Sequence, residues 1–453
     1  MGSRIALIVC SAFVLALWRV ERKQAADVSL ATWIPTLWIM ICASKPLAVW
    51  FGAKSEGGVA EGSALDRNAL MVLIGCGIAI LSRRTINWDV IKRGNSALLV
   101  ICLYAFVSIT WSEFPFVSIK RYIRFIGAFV MATVILTEKA PDKALESILR
   151  RTAYSLIPFC IVLIKYVPEF GVLYGRYSGG LMWVGVATQK NSLGVLCLVS
   201  VFFCFWALLR GWKDQQSGSK GLQKYGDALV ALIGLYLLKG PSNAGASKTS
   251  LVVLAVGTSL LLALREMRKR GRFLDRRFFV ILMTLAYCYG LGVPFGLTSL
   301  FAGLVQALGR DTTFTGRTEI WEELIPIAMN SPILGCGYGG FWVKPVETGV
   351  NEAHNGYIDV LLEQGIVGLL LLFHFVISVC RTSYKVLPSR FWWASFGLSF
   401  LLMSVFHNAS ESTFLKTSDF FWTILVFVSM VVSNKYTDTY QQKTQVQMRD
   451  WRG

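Results

Sequence analysis

Residues Asn351–Phe373 read NEAHNGYIDVLLEQGIVGLLLLF. A polar tetrad, Glu352-Ala353-His354-Asn355, opens onto an apolar run at about 356–380. A run of that length with so little charge is what a bilayer-crossing helix requires. His354 is one of three histidines in the chain and sits at the door of that helix. Its imidazole can titrate near neutral pH, so a base or acid role there is chemically sensible. Asn355 can cap the helix. Asp359 and Glu363 lie further in, at spacings that do not pair with His354 along a straight helix, so their partners are expected on other helices.

The rest of the chain has the same character. Of 453 residues, 54% are hydrophobic and 16% charged, and the mean hydropathy is +0.54. That is too apolar for an ordinary soluble protein and fits a polytopic membrane protein of the all-α class. Apolar runs occur at about 28–51, 68–82, 95–110, 119–136, 152–166, 184–209, 226–239, 249–264, 278–299, 356–380, 391–408 and 419–433. A further run at 4–18 reads as a span, a half-inserted helix or an uncleaved signal-like segment. The expectation is therefore 12–13 transmembrane helices. The chain divides into N-terminal helices over 1–94, a main membrane domain over 95–433 with a large outer loop at 300–355, and a cytoplasmic tail at 434–453.

The net charge of +18 first suggests nucleic acid, but its placement excludes that. The loops at 19–23, 83–93, 139–151, 210–224, 265–277 and 381–390 and the tail carry about 29 of the 45 Lys and Arg residues, which marks that side as cytoplasmic. The excess reads as topology and lipid contact. The opposite side has fewer basic residues, set beside short polar motifs: Lys120, Arg121 and Arg124 after WSEFPFVSI, Lys190 in TQKNSLG, Lys248 in GASKTS and Arg317 in FTGRTEIW. Some are snorkelling anchors. As a set they look like an anion site.

Within the large loop, Arg317 to Asn330 forms an amphipathic pattern. Glu319, Glu322 and Glu323 share one face, and Ile320, Trp321, Leu324 and Ala328 share the other. Pro326 is expected to bend this helix or end it near Ile325. Arg317 at its N-terminus is placed either for a phosphate or for a neighbouring carboxylate.

Other motifs have weaker readings. Gly335-Cys336-Gly337-Tyr338-Gly339-Gly340 matches G-x-G-x-x-G but follows Pro332 and a helix, not a strand, so flexible loop glycines near a substrate are the better account. The stretch from Gly240 to Thr249 imitates a P-loop with the wrong spacing and offers Ser247 and Lys248 on a turn instead. His374 and His407 fall in apolar helices and read as packing or interhelical hydrogen bonding. Ten cysteines occur without a CxxC pair, so neither a disulfide framework nor a zinc knuckle is supported. No metal or cofactor is expected, since the histidines are scattered and no D-x-D stands on the outer side.

Taken in order, WSEFPFVSIKRYIR (111–124), TQKNSLG (188–194), GASKTS (245–250), TGRTEIW (315–321), SPILGCGYGGFW (331–342) and EAHNGYIDVLLEQGIVG (352–368) resemble the O-antigen ligase and polysaccharide polymerase superfamily, over roughly residues 100–410. The run through TGRTEIW, GYGGFW and AHNGYID is closer to the exopolysaccharide polymerases.

The resemblance implies a bacterial inner-membrane glycosyltransferase of cell-surface polysaccharide biosynthesis. It would pass a glycan from an undecaprenyl diphosphate carrier to an acceptor hydroxyl in the periplasm, without metal or nucleotide sugar. The acceptor would be a lipid-linked repeat or lipid A–core, with membrane lipids, chain-length regulators and export proteins as further partners.

By the same resemblance, His354 is the general base and Arg317 binds the diphosphate. Lys248 stands where arginine is frequent, and a lysine keeps the charge but loses the bidentate fork. Lys190, Arg121 and Arg124 are further candidates for the diphosphate or carrier. A transporter or flippase with a polar outer vestibule is the competing class. It would call for mid-membrane ionisable groups and an internal repeat, and the sequence shows no repeat.

Overall fold

A computed structural model of the chain describes residues 2–52, 63–174, 179–211, 218–241, 245, 247–296, 317–344, 346 and 349–434. The parts of the expected loop at 300–316 and of the tail from 435 lie outside the described residues. The apolar runs are helical over most of their described length. In chain order the helices are α1 (Gly2–Gln24), α2 (Trp33–Ala43), α3 (Leu47–Trp50), α4 (Ala64–Leu81), α5 (Trp88–Gly94), α6 (Ser96–Val107) and α7 (Pro115–Leu136). They continue with α8 (Pro141–Tyr166), α9 (Pro168–Gly171), α10 (Lys190–Gly211), α11 (Gly218–Lys239), α12 (Lys248–Lys269) and α13 (Arg276–Gly292). The last are α14 (Arg317–Ala328), α15 (Gly356–Val386), α16 (Phe391–His407) and α17 (Phe420–Asn434).

The protein is an all-α, multi-pass membrane protein. Among the described residues, seven helices are long and apolar enough to cross a bilayer, or eight if α5 and α6, bent by 87°, are one broken span. The N-terminal run is among them, as the whole of α1. The other runs form shorter apolar helices, such as α16 and α17, or longer ones that carry charge, such as α7 and α11. The expected run at 184–209 starts late as a helix. Residues 184–189 form turns, following a strand at Leu181–Trp183 that pairs antiparallel with Val172–Tyr174, and α10 begins at Lys190.

The chain forms two compact units that interleave along the sequence. The first comprises residues 1–56, 63–85 and 130–259. Its centre is α8, against which α1, α2, α10 and α11 pack. Several basic residues expected on the cytoplasmic side form ion pairs here, so topology and lipid contact are not their only roles. Arg84 pairs with Glu138 at 2.6 Å and Arg151 with Glu21 at 2.9 Å, both carboxylates being buried.

The second unit comprises residues 57–62, 86–129 and 260–453, and its centre is α15, against which α6, α13, α14 and α16 pack. α15 is not one continuous helix. Gly365 has φ +63 and ψ −164, a conformation in which a side chain would put its Cβ 2.3 Å from the Ile333 carbonyl oxygen. The break frees backbone groups that a bilayer would leave unpaired. The glycine-rich loop takes them up. Cys336 N–H donates to Leu362 O at 3.0 Å and Gly337 N–H to Glu363 O at 2.9 Å, while Ile366 N–H donates to Pro332 O at 2.8 Å. Tyr104 Oη adds a bond to Gln364 O at 3.0 Å.

The loop glycines therefore serve close packing, not substrate access. Gly335, Gly337 and Gly339 all have positive φ, and a Cβ on Gly337 would lie 2.6 Å from the Ser108 carbonyl oxygen. Tyr338 between them is buried, its hydroxyl 3.0 Å from Leu415 O.

Candidate functional site

The site is assembled where α15 begins. Asn355 caps that helix, accepting from Tyr357 N–H at 3.0 Å and Ile358 N–H at 3.1 Å. Its amide donates to Gly290 O and Ala409 O, so the cap is tied to α13 and to the loop after α16. Gly356 N–H donates to Asn408 O and Glu411 O. The helix N-terminus is thus filled by the protein.

His354, just before the cap, has φ +50. A left-handed conformation at a non-glycine residue costs on the order of 1 kcal/mol and has to be enforced by its surroundings. The residue before it supplies that restraint. Ala353 N–H donates to Asp359 Oδ1 at 3.1 Å, and Ala353 O accepts from Trp321 Nε1 on α14 at 2.9 Å. Asp359 also accepts from Trp342 Nε1 at 3.1 Å, and Glu363 accepts from Gly339 N–H at 2.9 Å. The two carboxylates of α15 thus bond to the glycine-rich loop, to Trp342 and to the segment before their own helix, and Glu363 also lies in the field of Arg121 on α7.

His354 Nδ1 faces two carboxylates, at 3.3 Å from Glu352 and 3.8 Å from Glu411. Each is matched by a cation. Arg317 Nη2 lies 2.7 Å from Glu411, and its Nη1 donates to Ser410 O. Lys416 pairs with the other oxygen of Glu352. Burial alone would raise the Glu411 carboxyl. The His354 hydrogen-bonding group and the Arg317 and His407 charges outweigh it and bring Glu411 down to about 2. Lys416 is raised above its ordinary value, because Glu352 and Asp359 outweigh the burial that would lower it. Asp419, in the same loop, is pushed by burial up to about 7.

The ligating atoms of Glu352, His354 and Glu411 lie within 4.8 Å of one another, a set that could hold a metal ion. Arg317 and Lys416 pair with the oxygens of these carboxylates that do not face His354, Glu411 Oε1 and Glu352 Oε2.

The amphipathic helix forms as expected, with Ile320, Trp321, Leu324 and Ala328 buried. Pro326 does not end it near Ile325. The helix runs on to Ala328, since a proline in the last turn forfeits only one bond. Arg317 and His354 are brought together through Glu411.

Arg121 is in the same unit. Its guanidinium donates to Gly339 O at 2.6 Å and Trp342 O at 3.3 Å. Arg124 is half-buried one turn along α7. Lys190 and Lys248 belong to the first unit, where they open α10 and α12. Lys190 is half-buried and Lys248 exposed. His407 is buried with its ring 4.9 Å from that of Phe421, whereas His374 is exposed.

Glu411 and Lys416 were not legible as site residues. The signal was the polar run HNASESTFLKTSD at 407–419, which Asn408 folds into a tight loop by accepting from Thr413 and Phe414 N–H, both at 2.9 Å.

Residues 243–373 match the protein family described as O-Antigen ligase, a stretch that holds Lys248, Arg317 and His354. The chain is also 26% identical over 296 residues to the exopolysaccharide production protein ExoQ of Rhizobium meliloti (strain 1021). In these regions the chain is similar to the O-antigen ligase and polysaccharide polymerase superfamily. The matched region is 61% of this chain and 62% of the length of ExoQ. Glu411 and Lys416 lie beyond the part that defines the O-antigen ligase match, which ends at Phe373 inside α15.

Proposed function

We propose that this protein is a metal-independent glycosyltransferase of polysaccharide synthesis that works at the periplasmic face of a bacterial inner membrane. It passes a glycan from undecaprenyl diphosphate to an acceptor hydroxyl. The observation that carries this reading is the placement of His354 Nδ1 between Glu352 and Glu411, with Arg317 on the far side of Glu411. Carboxylates at Nδ1 favour the tautomer with its proton there, which leaves Nε2 as the base.

Nε2 then takes the acceptor proton as the oxygen attacks the anomeric carbon. The bond from that carbon to the diphosphate oxygen breaks with its electron pair, and the configuration inverts. The carboxylates stabilise the imidazolium that forms. Arg317 spends two N–H donors on Ser410 and Glu411, and a guanidinium has five, so donors remain for the diphosphate. Fixed cations in a partly dry site can hold that leaving group without a metal. Lys248, Lys190, Arg121 and Arg124 are proposed as further contacts to the carrier.

The similarity to ExoQ supports polymerisation ahead of ligation. The test is purified protein in lipid, given undecaprenyl-diphosphate-linked repeat alone in the presence of EDTA. A product ladder is expected. If that mixture and one supplied with lipid A–core both stay silent, the reading fails and transport takes its place.

A further inference from the structure

Beside the site, the second unit has an open cleft of about 470 Å³ that the reaction as described does not use. It is walled by Glu113 and Phe114 ahead of α7, by Glu323 and Ile327 on α14, and by Phe341 and Lys344 after the glycine-rich loop. Its size falls in the range of ligand sites, and its lining mixes ring faces with a few charged groups.

We infer that this cleft holds a distal sugar of the glycan being joined, an inference that rests on the function proposed above. The chemistry favours a carbohydrate over other ligands at this face. A pyranose offers a C–H face to an aromatic ring and hydroxyl donors to a carboxylate. Both kinds of partner are here, in Phe114 and Phe341 and in Glu113 and Glu323. An isoprenoid tail has no use for carboxylates, and two carboxylates repel a diphosphate. Lys344 pairs with Glu113 and lies 5.2 Å over the Phe114 ring, so it fixes that wall and balances one of the charges.

Position supports the same occupant. α14 begins at Arg317 in the reaction site and reaches Ile327 in the cleft, a span of about 15 Å at 1.5 Å per residue. Phe341 directly precedes Trp342, whose indole bonds to Asp359, the residue that pins Ala353 beside His354. A repeat of several sugars with its reacting end at His354 is long enough to lie along this path. The Cys336 thiol also lines the cleft, and burial pushes it up to about 12.

The test uses the full-length protein in lipid with undecaprenyl-diphosphate-linked repeat, and compares wild type with Ile327→Trp and Glu323→Gln. Ile327 is part-exposed, so the larger ring fills the cleft without entering the core. Each variant is expected to raise KM for the repeat about tenfold, to leave kcat near the wild-type value and to shorten the ladder. A wild-type ladder that neither variant alters in KM or length overturns the cleft assignment alone, as does a fall in kcat at constant KM. A wild-type protein that makes neither a ladder nor a ligation product overturns the functional reading, and this inference with it.

Discussion

In the first unit, Arg150 donates from all its nitrogens to Asp227 and Glu146, and Arg210 takes the remaining oxygen of Glu146. Arg151 is held by Glu21 and Thr32, and both members of its ion pair are almost fully buried. In the second unit, Arg317 and Lys416 likewise face Glu411 and Glu352. The residue types are the same, and the difference lies in what stands between them. The first cluster borders an open cavity of about 360 Å³ and contains no histidine. The second inserts an imidazole between its two carboxylates, on a residue held at positive φ and still 24% exposed. Buried charge alone does not mark a functional site. An imidazole set between the carboxylates, on a residue held at positive φ, is what distinguishes the second cluster.

That contrast can be broken at either cluster. The largest effect is expected at His354. His354→Ala should lower turnover by about 10²–10⁴-fold, the usual worth of a general base, while donor binding persists. Normal turnover in a folded variant would remove the base assignment.

Next comes Arg151→Ala, which leaves Glu21 buried without its partner and should cost about 3–5 kcal/mol, read as a lower thermal midpoint. The double variant Glu21→Met, Arg151→Met should recover most of that loss. If it does not, the first cluster is doing more than holding helices together.

Third is pH. Glu411 is held at about 2 in the folded protein against 4.5 ordinarily. A depressed carboxylate contributes stability that is complete above about 4.5 and is lost as pH falls through about 2. The contribution is about 3 kcal/mol. Acid titration of the thermal midpoint should show a drop in that window for wild type and a smaller one for Glu411→Gln.

The smallest effect is at the helix break. Gly365→Ala should cost about 1–3 kcal/mol through backbone strain, and the Cβ contact with Ile333 adds to it. A neutral outcome by calorimetry would mean that the break is not fixed by that glycine.

The membrane architecture was legible because hydrophobic length is a local property. The apolar runs became helices over most of their described length, and the wheel of Arg317 to Asn330 identified the buried face of α14 correctly. His354 stood out as a rare residue at a helix door, and the resemblance supplied its role and that of Arg317. What the sequence hid was long-range. Glu411 lies 94 residues from the arginine it pairs with, and Lys416 lies 64 from Glu352. A short polar stretch between two apolar runs reads as a plain turn until Asn408 is seen folding it inward. The glycines misled for a related reason. Glycine is compatible with both mobility and tight packing, and only the partners, here Gln364 N and Ser108 O, decide which.

The interruption at Gly365 also bears on how the protein is made. A helix with an open seam cannot rest alone in hydrocarbon, because each unpaired backbone group costs several kcal/mol there. Most of the groups that close the seam come from residues 332–337, shortly before it in the chain, and Tyr104 adds one more. The loop and the helix therefore have to pair with each other before this part of α15 can rest in hydrocarbon. The cost of an open seam falls on the same short stretch that carries His354.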